Sequence, residues 1–90
     1  MRYTYDRKKR ISNLEKHGYD FDDAPLVIES EHNVTFEDKR FNYDEQRFMT
    51  LGMLRGDVVA IVTAETDDEI RVISMRRAER DEEKIYTRYL

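Results

Sequence analysis

The run Val58-Val59-Ala60-Ile61-Val62-Thr63 constrains this chain more than any other feature. It has strand length and is rich in β-branched residues, as expected of a central strand covered on both faces. Charged residues make up 40% of the chain, so an unbroken apolar run stands out against its surroundings and has to be buried. Shorter strand signals flank it. Val34-Thr35-Phe36 reads as a short strand, and a polar loop follows as far as Asp44. Gln46 to Leu51 reads as a second strand, ending at the turn that contains Gly52 and Gly56, and Ile70 to Arg76 as the last, entered through Thr66-Asp67-Asp68.

Helices are expected on either side of these strands. Asp6 is placed to cap a helix running to His17, and Gly18 supplies the left-handed stop. Ile11 and Leu14 give that helix a short apolar edge. Phe21, Ala24, Val27 and Ile28 repeat at helical spacing in a second segment, and Pro25 fits its third position after a cap at Asp22, or one or two residues earlier. The acids Asp22 and Asp23 suit the positive end of that helix dipole. From about Glu79 a terminal helix carries acids in its first turn and apolar groups at Ile85, Tyr86, Tyr89 and Leu90. Two N-terminal helices, an antiparallel meander and a C-terminal helix make an α+β domain. At 90 residues the chain is expected to be a single domain over 1–90, hiding about 60–65% of its unfolded surface.

Several classes of function are disfavoured. No stretch approaches the roughly 20 apolar residues of a membrane span, and no apolar signal segment follows the basic start, so a cytoplasmic location is expected. Without cysteine there is no thiol nucleophile and no thiolate metal site. No cofactor or metal is expected. Asn33-Val34-Thr35 matches a glycosylation acceptor and Arg55-Gly56-Asp57 an adhesion tripeptide, both short enough to occur by chance.

The net charge of −4 conceals an uneven distribution. Residues 1–20 hold six basic and three acidic side chains, residues 21–46 two and eight, and residues 47–90 eight and nine. Such asymmetry suits a local phosphate site or contact with a basic partner protein. Arg7, Lys8, Lys9 and Arg10 run around their helix, the usual mark of a solvated surface.

The residue inventory matches one chemistry in particular. Cleaving RNA through its 2′-hydroxyl takes a base, an acid for the departing 5′-oxygen, and cations for the charge on phosphorus. Histidine titrates in the right range, and the arginine fork binds two phosphate oxygens together. The candidates are His17, Glu45, Arg47, Arg71, Arg76, Arg77 and Tyr86, with Lys16 as a further phosphate contact. Each has an ordinary structural alternative. His17 can cap a helix C-terminus, Glu45 and Arg47 can form a surface pair, and Tyr86 can be a core or rim aromatic. Strand alternation places Arg71 with Ile73, Met75 and Arg77, opposite Val72, Ser74 and Arg76, so Arg71 and Arg76 share a pocket only if a bulge intervenes.

Over nearly its whole length the chain resembles the BrnT toxins, the ribonuclease halves of a bacterial type II toxin–antitoxin system. The resemblance rests on Tyr5-Asp6, Lys9, Asn13, Lys16-His17-Gly18, Phe21 with Ala24, Glu45-x-Arg47, Gly52, Val62-Thr63, and Ile70-Arg71-Val72-Ile73-Ser74-x-Arg76-x-Ala78 with Glu83 and Tyr86. It implies a RelE-like fold, RNA cleavage that arrests translation, neutralisation by a BrnA-like antitoxin, and DNA contact only through the toxin–antitoxin complex. The chain departs from the family pattern at Tyr5, where tryptophan is usual, and at Met75, where a small residue is common. After Val62-Thr63 it has Ala64, Glu65 and Thr66, where an arginine commonly falls. The missing arginine favours an alternative reading: a catalytically degenerate module that holds the antitoxin in a repressor complex.

Overall fold

The computed structural model describes residues 1–40 and 44–90. Its elements in chain order are β1 (Arg2–Tyr5), α1 (Arg7–His17), a 3₁₀ turn (Phe21–Asp23), α2 (Ala24–Ile28), β2 (Asn33–Glu37), β3 (Arg47–Leu54), β4 (Asp57–Glu65), β5 (Glu69–Arg77) and α3 (Arg80–Arg88). The strands form one sheet in the order β1-β5-β4-β3-β2. The α+β arrangement expected from the sequence is therefore present, consistent with a RelE-like fold. Part of the expected polar loop, residues 41–43, lies outside the described residues.

One strand was not anticipated. β1 pairs with β5 in parallel, from Arg2 opposite Glu69 to Tyr5 opposite Val72, so the sheet is mixed and not purely antiparallel. Its alternation is short: Tyr3 and Tyr5 turn toward the helical segment, where their hydroxyls donate to Glu29, at the end of α2, and to Asp22, in the 3₁₀ turn, each at 2.8 Å. Tyr5 also meets Phe21 edge to face, with ring centroids 5.9 Å apart.

Two cores flank the sheet. On one face Phe21, Ala24 and Val27 pack against Val59, Ile61, Val72 and Met75. On the other, Tyr86 and Ile85 of α3 pack with Met49, Leu51, Ala60 and Val62. β4 is thus buried on both sides, as its apolar run requires. Met75 fills the first core and is fully buried, so its bulk is absorbed by packing.

Helix α1 forms for the expected reasons. Asp6 accepts from the amides of Lys8 and Lys9, and Gly18 closes the helix at φ 79°. Its docking differs from expectation: Ile11 and Leu14 remain exposed, and the buried residue is Asn13. β1 stops pairing at Val72, which leaves the outer edge of β5 open beyond that point, and Asn13 fills the vacancy as a substitute strand partner. Its amide donates to the Met75 carbonyl at 2.8 Å and accepts from the Met75 amide at 3.1 Å. The same nitrogen donates to the Tyr19 carbonyl at 3.0 Å.

The cap of the second helical segment lies two residues before Asp22. Asp20 caps the 3₁₀ turn by accepting from the Asp22 amide at 3.0 Å, and Pro25 occupies the first turn of α2, where it breaks no bond. Gly52 is not in a turn but inside β3, directly beneath α2. A Cβ there would lie 2.6 Å from Val27 Cγ1, so glycine is what allows the helix to approach the sheet. The β3–β4 turn is made by Arg55 and Gly56, both at positive φ, as a tight hairpin turn requires. The adhesion-like tripeptide is used internally there, since Arg55 donates to Asp23 and Asp57 accepts from the Tyr19 hydroxyl.

Several of the acids are occupied by internal pairs. Arg10 forks onto Asp20 with bonds of 2.8 and 2.9 Å and also meets Asp22. Hydrogen bonding from Arg10 holds the Asp20 carboxyl down at about 2, below the ordinary value near 4. The Arg76 fork likewise lowers the Glu82 carboxyl. A group depressed in the folded state stabilises above its unfolded pKa and loses that contribution as pH falls through its folded one. The melting temperature is therefore expected to decline steadily from about pH 4 toward pH 2. An Asp20→Asn variant should show a shallower decline over that interval in thermal unfolding followed by circular dichroism. An identical slope would remove Asp20 as a source of the acid sensitivity.

Candidate active site

The arrangement of the candidate residues depends on an irregularity in β5. Val62 faces Ser74, but the next residue of β4, Thr63, faces Val72, so Ile73 is an extra residue and β5 bulges there. The bulge resets the alternation. Arg71, opposite Ala64, and Arg76, opposite Ala60, now both project toward the α3 face. Sharing a face does not bring them together, because Ala60 and Ala64 are four residues apart, about 13 Å along the strand.

Arg71 instead meets the residues across the sheet. Arg47 pairs with Ala64 from the β3 side, so Arg47, Ala64 and Arg71 form one row across three strands. The Glu45 carboxylate, just before β3, hydrogen-bonds Arg71 and lies 3.7 Å from Arg47. Two guanidiniums therefore flank one carboxylate over the smallest side chain in the row. Arg71 and Glu45 have side chains 43% and 39% exposed, which leaves the cluster open to a polyanion. Glu65 does not intrude, because it projects to the opposite face, where its charge acts on Tyr3.

The other candidates lie elsewhere. Arg76 is forked onto Glu82 of α3, at 2.7 and 2.9 Å. Glu82 also accepts from the Glu79 amide at 2.8 Å, closing the capping box of α3. The pair anchors the start of α3, and hydrogen bonding to Glu82 raises the Arg76 pKa further. Tyr86 is 4% exposed and its hydroxyl donates to the His32 carbonyl at 3.1 Å, which ties α3 to the entrance of β2. Arg77 projects to the α1–α2 face, 3.9 Å from Asp57, away from Arg71.

Lys16 and His17 line a groove between α1 and the bulged part of β5, together with Lys8, Lys9, Ser12 and Ser74. The His17 side chain makes no hydrogen bond among the described residues, and the helix end is closed by the Gly18 amide donating to the Leu14 carbonyl at 2.9 Å. Lys8, Ser12 and Lys16 are spaced by four and so share a helix face, a signal the sequence carried beneath the run of cations around α1. Arg10 leaves that group for Asp20. The bulge was the feature sequence reasoning could require but not locate. Among the described residues no cluster of three or more histidine and carboxylate side chains has the makings of a metal site.

A family model described as the BrnT ribonuclease toxin of type II toxin–antitoxin systems matches residues 5–82. The chain belongs to the BrnT family. No curated protein matches this BrnT chain closely enough to be counted a relative. As a ribonuclease toxin of a type II system, it has RNA cleavage as its activity and a cognate antitoxin as its partner. The matched span contains both the Arg47–Glu45–Arg71 cluster and the α1 groove of the toxin. No helix among its described residues is long and apolar enough to cross a membrane.

Proposed function

We propose that this toxin is a metal-independent endoribonuclease whose reaction centre is the Glu45, Arg47 and Arg71 cluster. The observation that carries the reading is the Glu45 carboxylate held by Arg71 and facing Arg47 on an open part of the sheet. Arg47 and Arg71 bind the scissile phosphate and offset the charge that builds on its oxygens. Glu45 removes the 2′-hydroxyl proton; the resulting oxygen attacks phosphorus, and the bond to the 5′-oxygen breaks. His17, which lines the groove beside the bulge, gives a proton to that leaving oxygen, which leaves a 2′,3′-cyclic phosphate and a 5′-hydroxyl. Lys16 adds a phosphate contact. Arg76 and Tyr86 act as positioning residues, a role supported by their bonds to Glu82 and the His32 carbonyl.

The toxin works in the cytoplasm, arrests translation by destroying RNA, and is neutralised by a BrnA-like antitoxin through which the complex reaches DNA. The degenerate-module alternative rests on the arginine missing near Glu65; Arg47 and Arg71, which already flank Glu45, favour the enzyme. Producing the chain alone in bacteria should stop growth and fragment total RNA, and co-producing the cognate antitoxin should restore both. Undisturbed growth with intact RNA would favour the module.

A further inference from the structure

The groove between α1 and β5 concentrates basic side chains. Lys8, Lys9, Lys16 and His17 line it with Ser12 and Ser74, and no carboxylate does so among the described residues. Among the described residues, none of the four basic side chains is drawn into an ion pair. By contrast Arg2, Arg10, Arg55, Arg71 and Arg76 each meet a carboxylate directly. In a protein of net charge −4, a concave strip of unneutralised cations flanked by hydroxyls is an attractive site for a polyanion.

Its position gives the strip a direction. Ser74 stands opposite Val62, two residues along β4 from the Ala64 that separates Arg47 and Arg71. The groove therefore meets β5 about 7 Å from the arginine row, the distance of one step along the strand face. It then runs along α1, where Lys8 and Ser12 succeed Lys16 toward the helix start.

We propose that this groove is a track for the RNA backbone, in which Lys8, Lys9 and the Ser12 hydroxyl hold phosphates flanking the bond presented to Arg47 and Arg71. The assignment rests on the reading of that cluster as the reaction centre. Lysine point charges and a hydroxyl grip phosphate without reading bases, so the track contributes affinity and register and not sequence choice.

The test is binding of the purified toxin to a short single-stranded RNA with 2′-deoxy residues that block cleavage, followed by fluorescence anisotropy across a salt series. The double variant Lys8→Gln/Lys9→Gln is expected to raise Kd roughly tenfold near 0.1 M salt. It should also flatten the slope of log K against log salt by about 1.4, the release expected from two phosphate contacts on a single strand. Arg7→Gln/Arg80→Gln removes the same charge from outside the groove and should leave Kd within about twofold. Equal weakening by both double variants, an unchanged slope in the first, or no binding by the unaltered toxin would each overturn the track. Failure of the reaction-centre reading would register separately, as normal cleavage by an Arg71→Ala variant.

Discussion

Replacing Asn13 with leucine is expected to cost about 2–4 kcal/mol and to lower the melting temperature by roughly 10–25 °C. Asn13 is 8% exposed, and its amide satisfies both the N–H and the carbonyl of Met75 as well as the carbonyl of Tyr19. Leucine shares the branched skeleton of asparagine but leaves those backbone groups without partners where water is excluded, and each such loss costs about 1–3 kcal/mol. Asn13→Asp separates the polar part from simple packing. It keeps an acceptor for the Met75 amide but turns a donor into an oxygen facing two carbonyls, so it should be destabilising as well. For a small domain whose whole stability is about 5–15 kcal/mol, either change is large. Denaturant unfolding of the three proteins checks it; a leucine variant within about 0.5 kcal/mol of the parent would show that the amide bridge is not needed.

That bridge also shows which parts of the fold are readable from sequence. Asp6 and Gly18 mark the ends of α1 because capping is local chemistry, settled within a few residues. The Val58–Thr63 run marks a strand covered on both faces because its own composition demands cover. Asn13 is different: it is legible in the family pattern, but its role depends on β1 ending at Val72 across the sheet. β1 itself is four residues long and forms only against β5, so no periodicity of its own announces it. Gly52 is read locally as a turn residue, whereas its reason lies in Val27 above it.

The site divides in the same way. Glu45 and Arg47 are neighbours by spacing, and their meeting follows from a short strand entrance. Arg71 joins them only because one extra residue at Ile73 turns it to their face, and alternation alone would have placed it on the other. Arg76 and Tyr86 carry the right groups for catalysis, yet Glu82 and the His32 carbonyl already occupy them. A sequence lists donors and acceptors; the tertiary fold determines how they are paired.

Arg71→Ala carries the largest expected effect on activity. A guanidinium placed where charge develops on a phosphoryl group is worth roughly 10²–10³ in rate, by analogy with single donors in oxyanion sites. Its removal also frees Glu45 from its closest partner. Stability should barely change, because an exposed ion pair contributes about 1 kcal/mol or less. Arg71→Lys retains the charge but not the fork, and should recover only part of the lost rate.

The role of Arg71 is tested most directly by the single-turnover cleavage rate of a short RNA by purified toxin and by its Arg71→Ala variant, with both proteins shown to melt at the same temperature. A loss of roughly 10²-fold or more is the result expected of a phosphate-stabilising group in the reaction centre. A folded variant that cleaves within about twofold of the parent would contradict it and move the chemistry away from the Glu45, Arg47 and Arg71 cluster.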